Sequence, residues 1–200
     1  ILSENKKLVL TDNELKIINI CEMKLLEQRR KRIKPFFDDK SQTDLNSFWI
    51  YTLLHSSLVL ENRALRDKSF ELFEGLQKIL KNGIYHCYYN EGEIDVFLED
   101  YAYFILVLIS FYEITGNEEY LNKSEDILKK AWDLFYDDET QTLQKNSIKN
   151  NDLFVKPIDI IDNNIPNGNS IFLLTLNKIF NITENNIYKN KIEILSKSYY

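Results

Sequence analysis

The hydrophobic residues of this chain follow two kinds of helical pattern. In the first kind, apolar side chains cover nearly the whole circumference of a helix, and such a helix has to be buried all round. In the second kind, one apolar stripe recurs at i, i+3, i+4 and i+7, which is typical of a helix on a protein surface. The first kind occupies residues 43–60, 99–113 and 169–180, and the second kind occupies residues 63–81, 118–135 and 186–199.

Buried and amphipathic helices therefore alternate three times, after one leading amphipathic helix from about residue 4 to residue 32. An inner ring of helices wrapped by an outer ring accounts for this alternation better than a four-helix bundle, in which every helix keeps one wet face. The pattern predicts an all-α fold, a partial α/α toroid built of inner and outer helix pairs. Because the seven predicted helices cannot close a ring of six hairpins, the last inner helix should have an apolar flank around Phe172 and Ile179 without its usual neighbour. We therefore expect self-association through the open edge, or marginal stability.

Three longer loops, at 33–43, 82–98 and 136–168, each lead from an outer helix into the next inner helix. They should open onto one end of the ring, which makes that end the candidate functional face. The middle loop contains Asn90-Glu91-Gly92 between two β-prone segments and predicts a small β-hairpin on the rim.

The junctions between these loops and the inner helices carry the densest polar motifs of the chain. Helix N-termini supply unpaired N–H groups and a positive dipole end, which suit carboxylates, sugar hydroxyls or an anionic ligand. Alternatively, Thr43, Asp100 and Asn169 could be ordinary N-caps. We expect a common cavity, with catalytic candidates Asp38, Asp39 and Asp100 and ligand-binding candidates Lys40, Asn46, Trp49, Glu99, Tyr101, Asn167 and Asn169.

The carboxylates among these candidates suggest acid–base chemistry. Clustered carboxylates repel one another, so at least one should have a raised pKa and could donate a proton. Paired carboxylates are also what glycoside hydrolysis requires. Lys40 or the nearby arginines could instead neutralise them and leave a structural network of ion pairs.

Composition narrows the classes of partner and cofactor. The 200 residues are 44% hydrophobic, enough for one substantial core. A formal charge of -6 argues against nucleic acid, and no apolar run approaches the roughly 18 residues of a membrane span. The two cysteines form no CxxC pair and no Cys/His set at metal-ligand spacing, so we expect no disulfide, no metal, no cofactor and a cytoplasmic protein.

Three motifs resemble the spermatogenesis-associated, thioredoxin-domain-containing protein family. These are Arg29-x-x-Arg32-x-x-Pro35-x-x-Asp38-Asp39-Lys40 followed by Asn46, then Phe97-Leu98-Glu99-Asp100-Tyr101-Ala102, then Pro166-Asn167-Gly168-Asn169-Ser170. The resemblance implies a six-hairpin toroid related to N-acylglucosamine 2-epimerases and glycosidases, joined to a thioredoxin-like half. On this basis residues 1–200 are expected to form a single partial toroid domain, a fragment of a longer protein.

The chain also departs from that family. Leu45-Asn46-Ser47 stands where the family has W-N-G, so a platform for stacking a sugar is missing unless Trp49 replaces it. The sugar-epimerising relatives use His as acid and base, but neither His55, in mid-helix, nor His86, in the rim hairpin, can be assigned that role. Two functions stay open: a toroid that binds or acts on a small, sugar-like ligand, and a non-catalytic scaffold for a thioredoxin-like partner domain.

Overall fold

The computed structural model describes residues 10–35, 38–89, 92–93, 96–149 and 157–199. It contains two compact units, Ile1–Asp39 and Lys40–Tyr200. The first unit contains helix α1 (Asp12–Arg30), which begins after a capping box between Thr11 and Glu14. The predicted start of this helix near residue 4 lies outside the described residues. The expectation of a single domain stays a prediction.

The second unit confirms the predicted alternation of inner and outer helices. The inner helices α2 (Thr43–Val59), α4 (Leu98–Thr115) and α6 (Gly168–Thr183) lie side by side in that order. Each is followed by an outer helix that packs against it. These outer helices are α3 (Arg63–Ile79), α5 (Glu118–Phe135) and α7 (Asn186–Ser198), and α3 continues into a short 3-10 turn, Leu80–Asn82. The unit is therefore part of an α/α toroid.

Helix α4 forms the centre of the core. Thirteen of its eighteen residues are buried, as its all-round apolar pattern predicts. The Phe111 ring stacks on Phe73 of α3 with the ring centroids 4.2 Å apart. Because α4 has an inner helix on each side and an outer helix behind it, all of its residues from Asp100 to Phe111 are buried.

The burial of α2 and α6, the inner helices at the two ends of the row, differs from the prediction. Helix α2 is not buried all round, since Trp49 is 56% exposed and Val59 is 82% exposed. In α6, Phe172 and Ile179 are fully buried, and the exposed apolar residue is Leu174. The physical reason is position: within this unit each of these helices has an inner neighbour on one side only.

A three-stranded antiparallel sheet lies beside the N-terminus of α2. It consists of β1 (Ser41–Gln42), β2 (Cys87–Tyr89) and β3 (Gly92–Glu93) in that order. The predicted rim hairpin is thus present as β2 and β3, with β1 as an added strand, while Asn90 and Glu91 lie outside the described residues. The Thr43 N–H donates to the His86 carbonyl at 3.0 Å, which holds His86 at the start of α2.

The third long loop contains a second hairpin that the sequence pattern did not predict. Its strands are β4 (Tyr136–Asp137) and β5 (Thr142–Leu143). Immediately after it, the Leu98 N–H donates to the Lys145 carbonyl at 3.0 Å, which brings the loop to the first turn of α4. Among the described helices, none combines the length and the apolarity needed to cross a membrane.

Candidate functional site

A cavity of about 280 Å³ opens where the N-termini of the inner helices meet the third long loop. Its walls combine five charged or titratable side chains, two amides and several apolar groups. The lining residues are Asp44, His86, Phe97, Glu99, Lys145, Asp159, Ile161, Asn163, Ile165, Pro166 and Asn167.

Asp100 lies behind this cavity and connects α4 to α2. Its side chain is fully buried, one carboxylate oxygen accepts the Phe97 N–H at 2.9 Å, and the other accepts the Asp44 N–H at 3.3 Å. Burial raises the pKa of Asp100 to about 6, although the Phe97 N–H and His86 act in the opposite direction. Asp100 is thus mostly ionised at neutral pH and serves as an acceptor for its neighbours.

The helix caps differ from the alternative that the sequence left open. The N-cap residues of α2, α4 and α6 are Gln42, Phe97 and Asn167. Of these three, the Asn167 side chain caps by accepting the Ser170 N–H at 2.9 Å. Thr43, Asp100 and Asn169 are therefore not N-caps, because each helix begins one to three residues earlier than that alternative requires.

His86 is fixed by hydrogen bonds at both ring nitrogens. Nδ1 lies 3.1 Å from Asp100 Oδ1, and Nε2 lies 3.3 Å from the Gln42 amide nitrogen. A carboxylate can only accept and an amide nitrogen can only donate, so the network assigns the ring proton to Nδ1 and leaves Nε2 as the acceptor. Asp100 therefore sets the tautomer of an imidazole that lines the cavity.

The side chains of Asp44, His86 and Asp100 are close enough to be considered as metal ligands. Their donor atoms all lie within 4.8 Å of one another. The spacing of Cys and His residues along the chain predicted no metal site, but that spacing does not include carboxylate ligands. The Nδ1–H of His86 already occupies the position facing Asp100, so the three residues form a hydrogen-bonded network without requiring an ion.

Glu99 is the second acidic group of the α4 N-terminus and faces the cavity directly. Its side chain is 13% exposed, and Oε1 lies 3.6 Å from Lys145 Nζ. Oε2 is buried and has no hydrogen-bond partner among the described residues. Burial raises the pKa of Glu99, Asp159 and Asp44 add to the rise, and Lys145 opposes it.

Gly168 allows α6 to approach Glu99. A Cβ atom at this position would lie 3.1 Å from the Glu99 backbone nitrogen and 3.2 Å from its Cγ and Cδ. Since real Cβ atoms are rarely so close to a backbone atom, only glycine fits here without a shift of one of the helices. This is the physical role of the glycine in the Pro166-Asn167-Gly168-Asn169-Ser170 motif.

The structure places Glu99 and Asn167 on the cavity and Asp100 directly behind it, whereas several other predicted ligand-binding residues face elsewhere. Successive residues of a helix point about 100° apart, so Tyr101 lies some 200° round α4 from Glu99. It contacts Phe135 and lines a separate cavity of about 330 Å³. By the same geometry Trp49 points about 140° away from Asp44, onto the exposed flank of α2. The described lining therefore does not include the proposed aromatic platform.

Asn46 and Asn169 hold local structure. Asn46 donates to the Gln42 carbonyl at 2.7 Å, at the start of its own helix. Asn169 is buried, donates to the Asp159 carbonyl at 2.7 Å, and accepts a hydrogen bond from the Tyr199 hydroxyl. It thereby anchors the segment that carries Asp159, and neither Asn46 nor Asn169 is among the residues that line the cavity.

Asp38 and Asp39 belong to the first compact unit, where both are exposed, and Lys40 begins the second. The catalytic role assigned to the two aspartates, and the binding role assigned to Lys40, stay predictions.

Four of the five charged or titratable lining residues were missed as site residues: Asp44, His86, Lys145 and Asp159. Asp44 follows the Thr43 junction directly and could have been found from that position. The other three are brought in by strand pairing and by the third long loop, for which the local pattern gives no signal. His55 is half-buried within the inner row, with Nε2 3.4 Å from Ser110 Oγ, and is not among the lining residues.

No protein-family model matches the chain. An uncharacterized protein of Caenorhabditis elegans is 24% identical to it over 206 residues. The alignment covers 92% of this chain and 28% of the relative, so the chain spans little more than a quarter of the relative's length.

Several solved structures share the toroid fold. The α-1,6-mannanase GH76A of Salegentibacter sp. HEL1_6 aligns with a TM-score of 0.64 at 13% identity, covering 79% of this chain and 46% of that one. That structure is an inactive variant with two Asp-to-Asn substitutions, in complex with α-1,6-mannotriose. Cellobiose 2-epimerase from Bacillus thermoamylovorans B4167 aligns with a TM-score of 0.63 at 14% identity, covering 78% and 43%. A D-mannose isomerase aligns with a TM-score of 0.60 at 15% identity, covering 80% and 41%. The chain thus shares its fold with enzymes named for carbohydrate substrates.

Proposed function

We propose that the cavity binds a small sugar-like ligand and that His86 and Glu99 exchange protons with it. The observation that carries this proposal is the pairing, in one cavity, of an imidazole held by a buried carboxylate and a second carboxyl group whose pKa burial raises. Groups with different protonation states side by side are what general acid–base catalysis needs.

In this proposal His86 is the base. Asp100 holds the proton on Nδ1, which leaves the Nε2 lone pair available once the Gln42 amide turns aside. Asp100 is itself a positioning residue, because it is fully buried and is not among the residues that line the cavity. The catalytic role predicted for Asp100 is thus retained in an indirect form.

Glu99 is the acid. A carboxyl group with a raised pKa gains and loses its proton closer to neutral pH, so Glu99 can hold a ligand as a carboxylate and can also pass a proton to a ligand oxygen. Lys145 and Asn167 line the same cavity and can orient hydroxyl groups as donors. The volume of about 280 Å³ is near the lower end of ligand pockets, which favours one sugar ring over an oligosaccharide.

The fold supports the choice of ligand class. The mannanase, the epimerase and the isomerase that share the toroid are all named for carbohydrates. The membership of the thioredoxin-domain-containing family, and with it a thioredoxin-like partner half, rests on the sequence motifs alone and is proposed on that basis.

The test is a panel of monosaccharides and disaccharides assayed by thermal stabilisation and calorimetry, since a ligand that binds only the folded state raises its apparent stability. We expect at least one monosaccharide to bind, and Glu99→Gln and His86→Gln to abolish any turnover of it. Glu119→Gln is the matched control, because Glu119 is likewise the second residue of its helix but is exposed on α5. Absence of binding across the panel would contradict the proposal and favour the scaffold function.

A further inference from the structure

The cavity contains more negative than positive charge. Asp44, Glu99 and Asp159 line it and Asp100 lies directly behind, whereas Lys145 is the one Lys or Arg among the lining residues. Lys145 is already shared, since Nζ lies 3.0 Å from Asp159 Oδ2 and 3.6 Å from Glu99 Oε1. The N-termini of the three inner helices, each equivalent to roughly half a positive charge, reduce this excess without removing it.

One acceptor atom at the cavity is left without a donor in the described part of the chain. Glu99 Oε2 is buried and has no hydrogen-bond partner. The Asp44 carboxylate belongs to a residue that is only 9% exposed, and its Oδ1 accepts the neighbouring Leu45 N–H at 2.7 Å. A buried carboxylate oxygen without a donor is costly, and a ligand that supplies a donor removes that cost.

We infer that the ligand carries a positively charged amine and is an amino sugar, whose ammonium group donates to Asp44 and to the carboxylate form of Glu99. This inference rests on the proposed function, because it takes the cavity to be a sugar site and adds the charge of the sugar. An ammonium group has three donors, no acceptor and a positive charge, which suits the unpaired Glu99 Oε2 and the negative excess of the cavity better than a hydroxyl group does. Hydrogen bonds between charged partners are also roughly twice as strong as neutral ones.

The same charges disfavour anionic ligands. A hexose phosphate or a sugar acid would bring a second negative group against Asp44 and Glu99, with Lys145 already engaged by Asp159. Like charges repel more strongly in a partly buried site than in water, because the effective dielectric constant is lower there. The order of affinity should therefore be amino sugar, then neutral sugar, then sugar phosphate.

The experiment compares glucosamine, glucose, N-acetylglucosamine and a hexose phosphate by calorimetry at neutral pH, with a chelator present so that no metal ion contributes. We expect glucosamine to bind at least about tenfold more tightly than glucose, from the usual strength of charge-assisted hydrogen bonds. N-acetylglucosamine, in which the amine is acylated and neutral, should lose this advantage.

Asp44→Asn and Glu99→Gln should each reduce the preference for glucosamine over glucose, whereas Glu119→Gln should leave it unchanged. Two isosteric variants are used so that misfolding of one, detected by circular dichroism, leaves the other to decide. Equal affinity for glucose and glucosamine overturns the inference and leaves the proposed function standing. Failure of every sugar to bind overturns both.

Discussion

Replacing Gly168 by alanine tests the close approach of α6 to α4 that forms one side of the cavity. The added Cβ would lie 3.1 Å from the Glu99 backbone nitrogen, which belongs to the first turn of α4 and cannot move alone. Overpacking of this kind costs about 1–3 kcal/mol, against roughly 0.5–1 kcal/mol gained when a helical glycine becomes alanine. We expect the free energy of unfolding to fall by about 1–2 kcal/mol and the affinity for the ligand to fall as Glu99 is displaced.

Gly75→Ala is the matched control for this substitution. Gly75 lies within α3, and a Cβ there would have no other atom within 4 Å. It should therefore stabilise the protein by roughly 0.5–1 kcal/mol, the opposite sign from Gly168→Ala. Urea-induced unfolding followed by circular dichroism measures both. If Gly168→Ala were as stabilising as the control, the packing of α6 on Glu99, and with it this wall of the cavity, would be refuted.

Three further stability predictions and one on assembly concern other parts of the fold. Burial raises the pKa of Asp100 from 3.8 to about 6, so the native state binds that proton more tightly than the unfolded chain does. The free energy of unfolding of the wild type, relative to that of Asp100→Asn, should therefore fall by roughly 2–3 kcal/mol as the pH rises from about 4 to 6. Urea unfolding at each pH should show no such trend if the carboxyl is solvated. Phe111→Ala, in a fully buried stacked ring, should cost about 3–5 kcal/mol in the same assay, and a loss below about 1 kcal/mol would contradict the central position of α4. Burial and the nearby Lys178 lower the pKa of His55, so NMR titration should place its midpoint below that of a free histidine. The free energy of unfolding should decline as the pH falls, because the unfolded chain takes up this proton at a higher pH than the native state does. If the exposed flank of α2 mediates self-association, Trp49→Glu should reduce the sedimentation coefficient at high protein concentration. A wild-type protein that stays monomeric at the same concentration would contradict that role.

Local sequence pattern determined the helices and their layers. The segment that contains Phe111 is apolar on every side of its helix. Such a helix is stable only when other helices cover it on every side, so it had to be central. The single stripes of α3, α5 and α7 need one covered face and tolerate water on the other, so these helices had to lie outside. The polar residues at 99, 100 and 167 could be assigned to the start of inner helices for the same reason.

The direction in which each side chain points was harder to obtain from the sequence. Glu99 and Tyr101 are two residues apart in one motif, yet helical geometry sends them to different cavities. Trp49 lies on an inner helix and faces the exposed flank. This orientation could not be predicted, because the apolar pattern of α2 does not indicate which of its sides meets α4. A motif thus indicates the neighbourhood of a site, and only the rotation of each helix selects its members.

The remaining site residues depend on contacts between distant parts of the chain. His86 reaches Asp100 because β2 pairs with β1 beside the first turn of α2. Lys145 reaches Glu99 because the loop after β5 bonds to the start of α4. Such pairings depend on the packing of the whole fold, whereas helical periodicity depends only on residues that are close together in the sequence. Helical periodicity therefore predicts the helices and their order, whereas contacts between distant segments select the charges that share the cavity.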